Sequence, residues 1–299
     1  MQTGVQLGSA HRAHAPVSVR GVGPCHGGRE FFGNRYVYSL ISPRAGGLTV
    51  GVNLTPDRRC NFDCVYCDVH RQRPALNQPF EVEAMAAELE NVLDLICHRR
   101  LRKLETFRHL PDGLLELKHV ALSGEGEPTL CEEFADAVRA VVHIRARGHF
   151  PFFKIVLLSN GSVLDQAGVQ AGLRHLILQD EIWLKLDAGG QEAFDIINRS
   201  QVPFERVFSN ILNLGRQRPI IIQSLFPLID GVEPSARQIQ AFIRRLEQLV
   251  REGAKISLVQ VYSANRLTAR SDCRHLPLKS LSRIAHLVRE STGLPVEVF

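Results

Sequence analysis

From residue 48 onward, short apolar runs alternate six times with stretches striped at helical spacing. That order predicts βαβ units and a parallel sheet. The first run, 48–55, sets Leu48, Val50, Val52 and Leu54 against Thr49, Gly51, Asn53 and Thr55. A period of two puts the apolar set on one face, where helices would cover it, and turns the small polar set inward. Further strands are expected at 118–123, 153–159, 181–187, 219–226 and 255–262, with a short last one at 296–299. Helices are expected at 80–97, after a capping box at Thr129–Glu132, from about Ser162, at 191–198, at 204–215, after a capping box at Ser235–Gln238, and at 278–290 before Gly293. Right-handed crossovers would curl six such units into an open barrel, whose chemistry belongs at the C-terminal ends of its strands.

Directly after the first strand comes Cys60-Asn-Phe-Asp-Cys64-Val-Tyr66-Cys67. Three thiolates this close wrap one corner of an iron–sulfur cube and leave one iron open, the mark of a reactive rather than a structural centre. A structural zinc knuckle, with His70 or Cys131 as fourth ligand, is the alternative. It lacks the second C-x-x-C unit or the histidine pair that zinc sites usually supply.

Polar residues collect at the other strand ends. The second strand ends in Ser123-Gly124-Glu125-Gly126-Glu127-Pro128-Thr129, where glycines allow close backbone approach and a carboxylate can accept from an ammonium group. The third ends in Ser159-Asn160-Gly161-Ser162, suited to ribose hydroxyls or a carboxylate, or else to a plain turn with Ser162 as helix cap. Alternation in the fourth turns Trp183, Lys185 and Asp187 inward, either toward ligand or as a Lys185–Asp187 ion pair. Gln223, Gln260 and Tyr262 face inward from the last two strands.

The cysteine loop, together with Gly51-Val-Asn-Leu-Thr-Pro-Asp57, Ser-Gly-x-Gly-Glu-Pro-Thr-Leu130, Lys185-Leu-Asp-Ala-Gly189 and Val259-Gln-Val-Tyr262, resembles the radical S-adenosylmethionine (radical SAM) superfamily. Within it, the chain looks like the compact Fe–S oxidoreductases related to wyosine-base-forming tRNA enzymes, from about residue 34 to the end. The resemblance implies an α/β fold, a partial (β/α)6 TIM-like barrel with parallel strands and helices outside. It implies a [4Fe–4S] cluster on Cys60, Cys64 and Cys67 whose open iron chelates S-adenosylmethionine. Reductive cleavage would give a 5′-deoxyadenosyl radical that abstracts hydrogen from an unknown substrate, with electrons from a donor such as flavodoxin or ferredoxin. By the same resemblance Glu127 would receive the methionine amino group, with Gly126 and Pro128 shaping its turn. As inward ions, Lys185 is the candidate for the methionine carboxylate and Asp187 for ribose or substrate. Ser159 and Asn160 would hold ribose hydroxyls or a carboxylate, and Tyr66 would pack at the cluster edge near adenine. Glu125 stands where the family pattern has glycine, and it is the other candidate for the amino group. The related tRNA enzymes carry a second N-terminal cysteine cluster, whereas Cys25 stands alone there, so one cluster is expected and tRNA is only one candidate substrate.

Apolar residues make up 44% of the 299 and charged residues 22%, which suits a globular chain with a sizeable core. No apolar run is long enough to span a bilayer, and scattered thiols beside the cluster point to a reducing compartment, the cytoplasm. Residues 1–33, rich in Gly, His and Arg, read as a poorly ordered extension ahead of a core domain at 34–299. The net charge of +5 includes a basic run, His98–Lys103. Such a run with the basic arm supports a second function class, a metal-stabilised RNA-binding module without catalysis.

Overall fold

A computed structural model of the chain describes residues 29–69, 79–264 and 272–299. Cys25 and His70 lie outside the described residues. In chain order the elements are β1 (Val37–Ser42), β2 (Gly47–Asn53), α1 (Val82–Cys97), β3 (Leu117–Ser123), α2 (Phe134–Ala146), β4 (Lys154–Ser159), α3 (Ala167–Leu173) and β5 (Glu181–Lys185). They continue with α4 (Gln191–Ile197), α5 (Phe204–Gln217), β6 (Ile220–Leu225), β7 (Pro227–Ile229), α6 (Ala236–Arg251), β8 (Ile256–Tyr262), β9 (Cys273–His275), α7 (Leu278–Thr292) and β10 (Val296–Val298). One sheet runs β1-β2-β3-β4-β5-β6-β8-β10, and β7 pairs with β9 in a small separate ribbon. From β2 to β10 every ladder is parallel, with helices between successive strands. This is the open α/β barrel expected from the alternation, with β1 and β10 as its free edges.

The helix-facing residues of the strands form the main core. Val50 and Val52 of β2, Leu122 of β3, Ile155 and Leu157 of β4, and Ile182 and Leu184 of β5 join Met85, Leu89, Val138, Val141 and Ile211 from the helices. Burying each such side chain contributes roughly 1.5–3 kcal/mol. The opposite face carries Thr49, His119, Trp183, Lys185 and Gln223 into the barrel interior.

Three local features depart from expectation. An extra strand, β1, runs antiparallel to β2. Its two faces are nearly equally buried, so the sequence Val-Tyr-Ser-Leu-Ile-Ser shows no polar–apolar contrast. The capping box expected at Thr129 does not form. Glu127 takes both the Thr129 N–H and its hydroxyl, Pro128–Leu130 makes a single 3-10 turn, and α2 begins only at Phe134. Ser162 caps no helix either, since α3 starts at Ala167 after Gln166 and the Ser162 hydroxyl bonds Asn61. The second capping box does form, with Ser235 and Gln238 bonding reciprocally at the start of α6. Gly293 ends α7 with φ of 68°, a left-handed stop that suits glycine.

Residues 29–33, placed within the N-terminal extension by sequence, lead into β1. Glu30 bridges Ser39, and the Phe32 ring stacks on Phe107 at 6.3 Å. No helix among the described residues is long and apolar enough to cross a membrane.

Candidate active site

The cysteine loop leaves the C-terminal end of β2 and is pinned on two sides. On one side it lies against the end of α4, where carbonyls have no helical partner left. Asp63 N–H donates to Asn198 O at 3.0 Å and Val65 N–H to Ile197 O at 2.9 Å. On the other side Asn61 bonds the end of β4, accepting from Asn160 Nδ2 at 2.9 Å and donating to Ser162 Oγ at 2.8 Å. The loop therefore follows a fixed path beside the strand ends. Cys60, Cys64 and Cys67 all line a single cavity of about 410 Å³ at the C-terminal ends of the strands.

Of the other site residues read from sequence, Tyr66, Gly126, Glu127, Pro128, Ser159, Asn160 and Lys185 line the same cavity, and Asp187 stands just behind them. The sulfurs are met by N–H groups. Phe62 N–H donates to Cys60 Sγ at 3.4 Å, Asn160 Nδ2 lies 3.9 Å from the same sulfur, and Asn198 Nδ2 donates to Cys64 Sγ at 3.5 Å. Burial, and then Asp187, push the Cys64 thiol up to about 12 although Lys185 opposes them. Such a sulfur becomes a thiolate when a metal supplies positive charge. Amide donors around cysteine sulfurs fit an iron–sulfur cluster, whose properties depend on N–H···S bonds. No group of three His, Cys, Asp or Glu side chains close enough to hold one metal ion occurs among the described residues, the three cysteines included. Cys131, the alternative fourth ligand, is buried and donates to Glu133 Oε2 at 3.4 Å.

The turn after β3 shows which glycines its motif requires. A Cβ on Gly126 would lie 2.0 Å from Arg59 O, and one on Gly124 would lie 2.5 Å from Asn53 Oδ1. Glu125 sits between them at the cavity wall, 3.5 Å from Arg58 Nε, so a side chain is accommodated where the family pattern has glycine. Glu127 is only 3% exposed. Its carboxylate faces four donors of the chain itself: Thr129 N, Thr129 Oγ1, Ser159 Oγ and Asn160 N. Burial raises its carboxyl above the ordinary range, while these bonds pull the other way. The side chain assigned to the amino group thus braces the ends of β3 and β4 against each other.

Lys185 projects from β5 with its side chain 21% exposed and Nζ 3.8 Å from Asp187 Oδ1. Nζ also donates to Tyr262 Oη at 2.9 Å and lies 4.7 Å from the Tyr66 ring centre. Burial alone would lower this ammonium, but Asp187, Tyr262 and Cys64 outweigh it and hold the group above the ordinary lysine range. Asp187 is 3% exposed and accepts from the Tyr66 hydroxyl, from Asn198 Nδ2 at 2.8 Å and from Leu225 N–H at 2.8 Å. The inward pair is therefore both an ion pair and a wall of the cavity. Asp187 orients Tyr66, which flanks Cys67.

Sequence reasoning missed Asn198, which touches Cys64, Tyr66 and Asp187 at once. Its only signal was a polar residue closing a short helix. It also missed Asn61, Arg29, Arg44 and His119. The last three border the cavity beside Thr49, which alternation had turned inward, but nothing in their local pattern marks them. His119 bonds Thr49 Oγ1 at 3.2 Å and stands edge to face with Trp183 at 5.5 Å. The inward glutamines bond each other, Gln223 Nε2 donating to Gln260 Oε1 at 2.8 Å.

Comparison with known proteins adds an independent line. A family model described as the radical SAM superfamily matches residues 54–234. A UPF0026 protein of Helicobacter pylori is 25% identical over 222 residues, 71% of this chain and 62% of the relative. A UPF0026 protein of Synechocystis is 24% identical over 58% of this chain and 57% of its own length. The chain thus spans about 60% of the curated relatives it matches. Among solved structures, a radical SAM methyltransferase from Sphaerobacter thermophilus superposes with a TM-score of 0.62 at 17% identity, over 88% of this chain and 68% of that one. A TYW1 structure with a lysine–pyruvate adduct bound gives 0.54 at 16% identity, over 85% and 84%. SuiB of Streptococcus suis bound to S-adenosylmethionine gives 0.55 at 13%, over 82% and 49%. These identities speak to the fold alone.

Proposed function

The chain belongs to the radical SAM superfamily, whose members use a [4Fe–4S] cluster and S-adenosylmethionine, and from that premise we propose that it cleaves S-adenosylmethionine reductively to act on a small-molecule substrate. The observation that carries this reading is the meeting of Cys60, Cys64, Cys67 and Lys185 in one cavity, with N–H donors on two of the sulfurs. Cluster and cosubstrate together would supply a 5′-deoxyadenosyl radical that takes a hydrogen atom from the substrate.

The chain's own residues set the stage for that chemistry. Cys60, Cys64 and Cys67 would hold the cluster, and the Asn160 and Asn198 amides point at the Cys60 and Cys64 sulfurs. Lys185 offers its ammonium to the cosubstrate carboxylate, with Tyr66 and Tyr262 fixing its position. Both carboxylates of that turn line the cavity, but Glu127 is bonded to Thr129, Ser159 and Asn160, so we assign the amino group to Glu125, whose partner is Arg58. Ser159 and Asn160 keep the β4 end beside Cys60. An electron donor such as flavodoxin or ferredoxin supplies the reductant.

A small substrate is favoured over RNA by where the basic run sits. Leu101, within that run, packs with Leu48 at the start of β2, the end of the barrel opposite the cysteine loop. Arg100 pairs with Asp94 and Arg102 with Asp112, so these cations already have partners. Anaerobic reconstitution with iron and sulfide, followed by reduction with dithionite in the presence of S-adenosylmethionine, tests the proposal. Release of 5′-deoxyadenosine, lost in Cys60→Ala, Cys64→Ala and Cys67→Ala, is the expected result. A colourless protein that retains zinc and releases none would overturn it.

A further inference from the structure

Three cationic side chains border the cavity, and two have acidic neighbours. Lys185 is held by Asp187 and Tyr262. Arg29 lies over the Tyr38 ring at 5.2 Å, near Cys67 and in the field of Asp68 and Glu125. Arg44 differs. Its guanidinium stacks on the Tyr262 ring, 4.5 Å from the centre, and no described carboxylate lies within ion-pair distance of it. A part-buried cation lining a largely apolar cavity is unfavourable unless something of opposite charge joins it.

The position of Arg44 in the fold is equally telling. It lies in the single turn between β1 and β2, which a left-handed Gly46 closes, at the end of β2 opposite the cysteine loop. From there it reaches Tyr262, the last residue of β8. Strands β1 and β10 are the two free edges of the sheet, and β10 pairs only with β8. The Arg44–Tyr262 stack therefore spans the open seam of the barrel. Tyr262 meets both cations: Lys185 Nζ donates to its hydroxyl at 2.9 Å and lies 5.4 Å from its ring centre, and the Arg44 guanidinium stacks on the ring at 4.5 Å. On the Arg44 side the wall is Thr49, His119 and Trp183.

We propose that Arg44 anchors the anionic end, a carboxylate or phosphate, of a small-molecule substrate lying between Trp183 and Tyr262. A guanidinium fixed on an aromatic face keeps its N–H edge free, the geometry that takes a planar or tetrahedral oxyanion through two parallel hydrogen bonds. Arg44, Tyr262, Lys185 and the three cysteines line one cavity, so an anion on Arg44 leaves the substrate body within the space the cysteines share. RNA is not the anion considered, because the guanidinium sits in an interior seam rather than on an open cationic face. His119 is held neutral by burial, with Arg44 among the charges opposing its protonation, so it offers hydrogen bonds without a competing charge. This inference rests on the superfamily reading for the identity of the reactive end, but not for the anion site itself.

Trp183 is the chain's single tryptophan and lines this wall, so its fluorescence reports occupancy. The full chain is titrated with succinate, inorganic phosphate and neutral succinamide, before and after anaerobic cluster assembly. A saturable change with succinate alone assigns a carboxylate, and one with phosphate alone a phosphate ester. Either is weakened at least tenfold in Arg44→Gln, with Arg44→Lys falling between. No response to either anion, an equal response to succinamide, or an undiminished response in Arg44→Gln overturns the proposal. If Arg44→Gln fails to fold, Arg44→Lys and the succinamide comparison in the unaltered protein decide. An anion response in a chain that assembles no cluster rejects the cluster reading alone. A cluster that cleaves S-adenosylmethionine in a protein blind to both anions rejects the Arg44 site alone.

Discussion

Glu127 Oε2 accepts the backbone N–H of Asn160 at 2.7 Å, tying the turn after β3 to the end of β4 next to Cys60. Ser159 Oγ donates to the other oxygen at 2.8 Å. Every group facing this carboxylate is a donor. Glu127→Gln would place an –NH2 among them and leave buried N–H groups unpaired, at a cost of about 1–3 kcal/mol. Urea unfolding should show that loss without any cofactor present. A variant of unchanged stability whose affinity for S-adenosylmethionine alone had dropped would restore Glu127 to the amino-binding role.

Asn198 reaches Cys64 Sγ and Asp187 Oδ2 with one amide nitrogen. Removing an N–H donor from a cluster sulfur lowers the reduction potential, because the oxidised and reduced forms differ in negative charge on sulfur. Asn198→Ala should therefore shift the cluster to a more negative potential in an EPR-monitored redox titration. Asn198→Asp, which brings a second carboxylate beside Asp187 and Cys64, should assemble less cluster than the alanine variant. A potential unmoved in both variants would show that the amide serves Asp187 alone.

Inside the barrel, burial depresses His119 to about 4 from the ordinary 6.5, helped by Lys154 and Arg44 and opposed by Glu181. The unfolded chain binds this proton first as pH falls, so folding is favoured most above about pH 6.5. The contribution, about 3 kcal/mol at most, is lost progressively between about pH 6.5 and 4. Unfolding free energies measured across that window should fall more steeply for the unaltered protein than for His119→Gln, which has no proton to take up. Parallel slopes would sink the assignment.

The barrel was legible because short apolar runs alternate with helical stripes, and in β2 and β5 a period of two was enough to place Thr49, Trp183 and Lys185 inward. Strands β4 and β6 carry Val156, Leu158 and Ile221 inside and show no such contrast. Strand β1 escaped because both its faces are covered, which erases the contrast on which a strand reading depends. The three cysteines were legible because close spacing is itself the signal. Asn198 and Arg44 were not, since each acts through a partner distant in sequence: Asn198 on Cys64, 134 residues away, and Arg44 across an open seam. Thr129 misled for a similar reason. Its local pattern spelled a helix cap, but Glu127 claimed both of its polar hydrogens.

Glycine at 126 is fixed by backbone rather than by side chains. A Cβ there would sit 2.0 Å from Arg59 O and 2.7 Å from Arg59 C, atoms of the residue directly before Cys60. Glu127 N–H also donates to Arg59 O at 2.9 Å, so the turn and the first cysteine move together. Gly126→Ala must push Arg59 aside and carry Cys60 with it, whereas Glu125→Gly removes only a side chain that meets Arg58. Iron and sulfide content after anaerobic assembly should accordingly drop several-fold in Gly126→Ala and stay near the parent value in Glu125→Gly. The Glu125→Gly protein should still bind S-adenosylmethionine less tightly if Glu125 meets its amino group. Full cluster content in Gly126→Ala would mean that the turn and the cysteine loop are not coupled through Arg59.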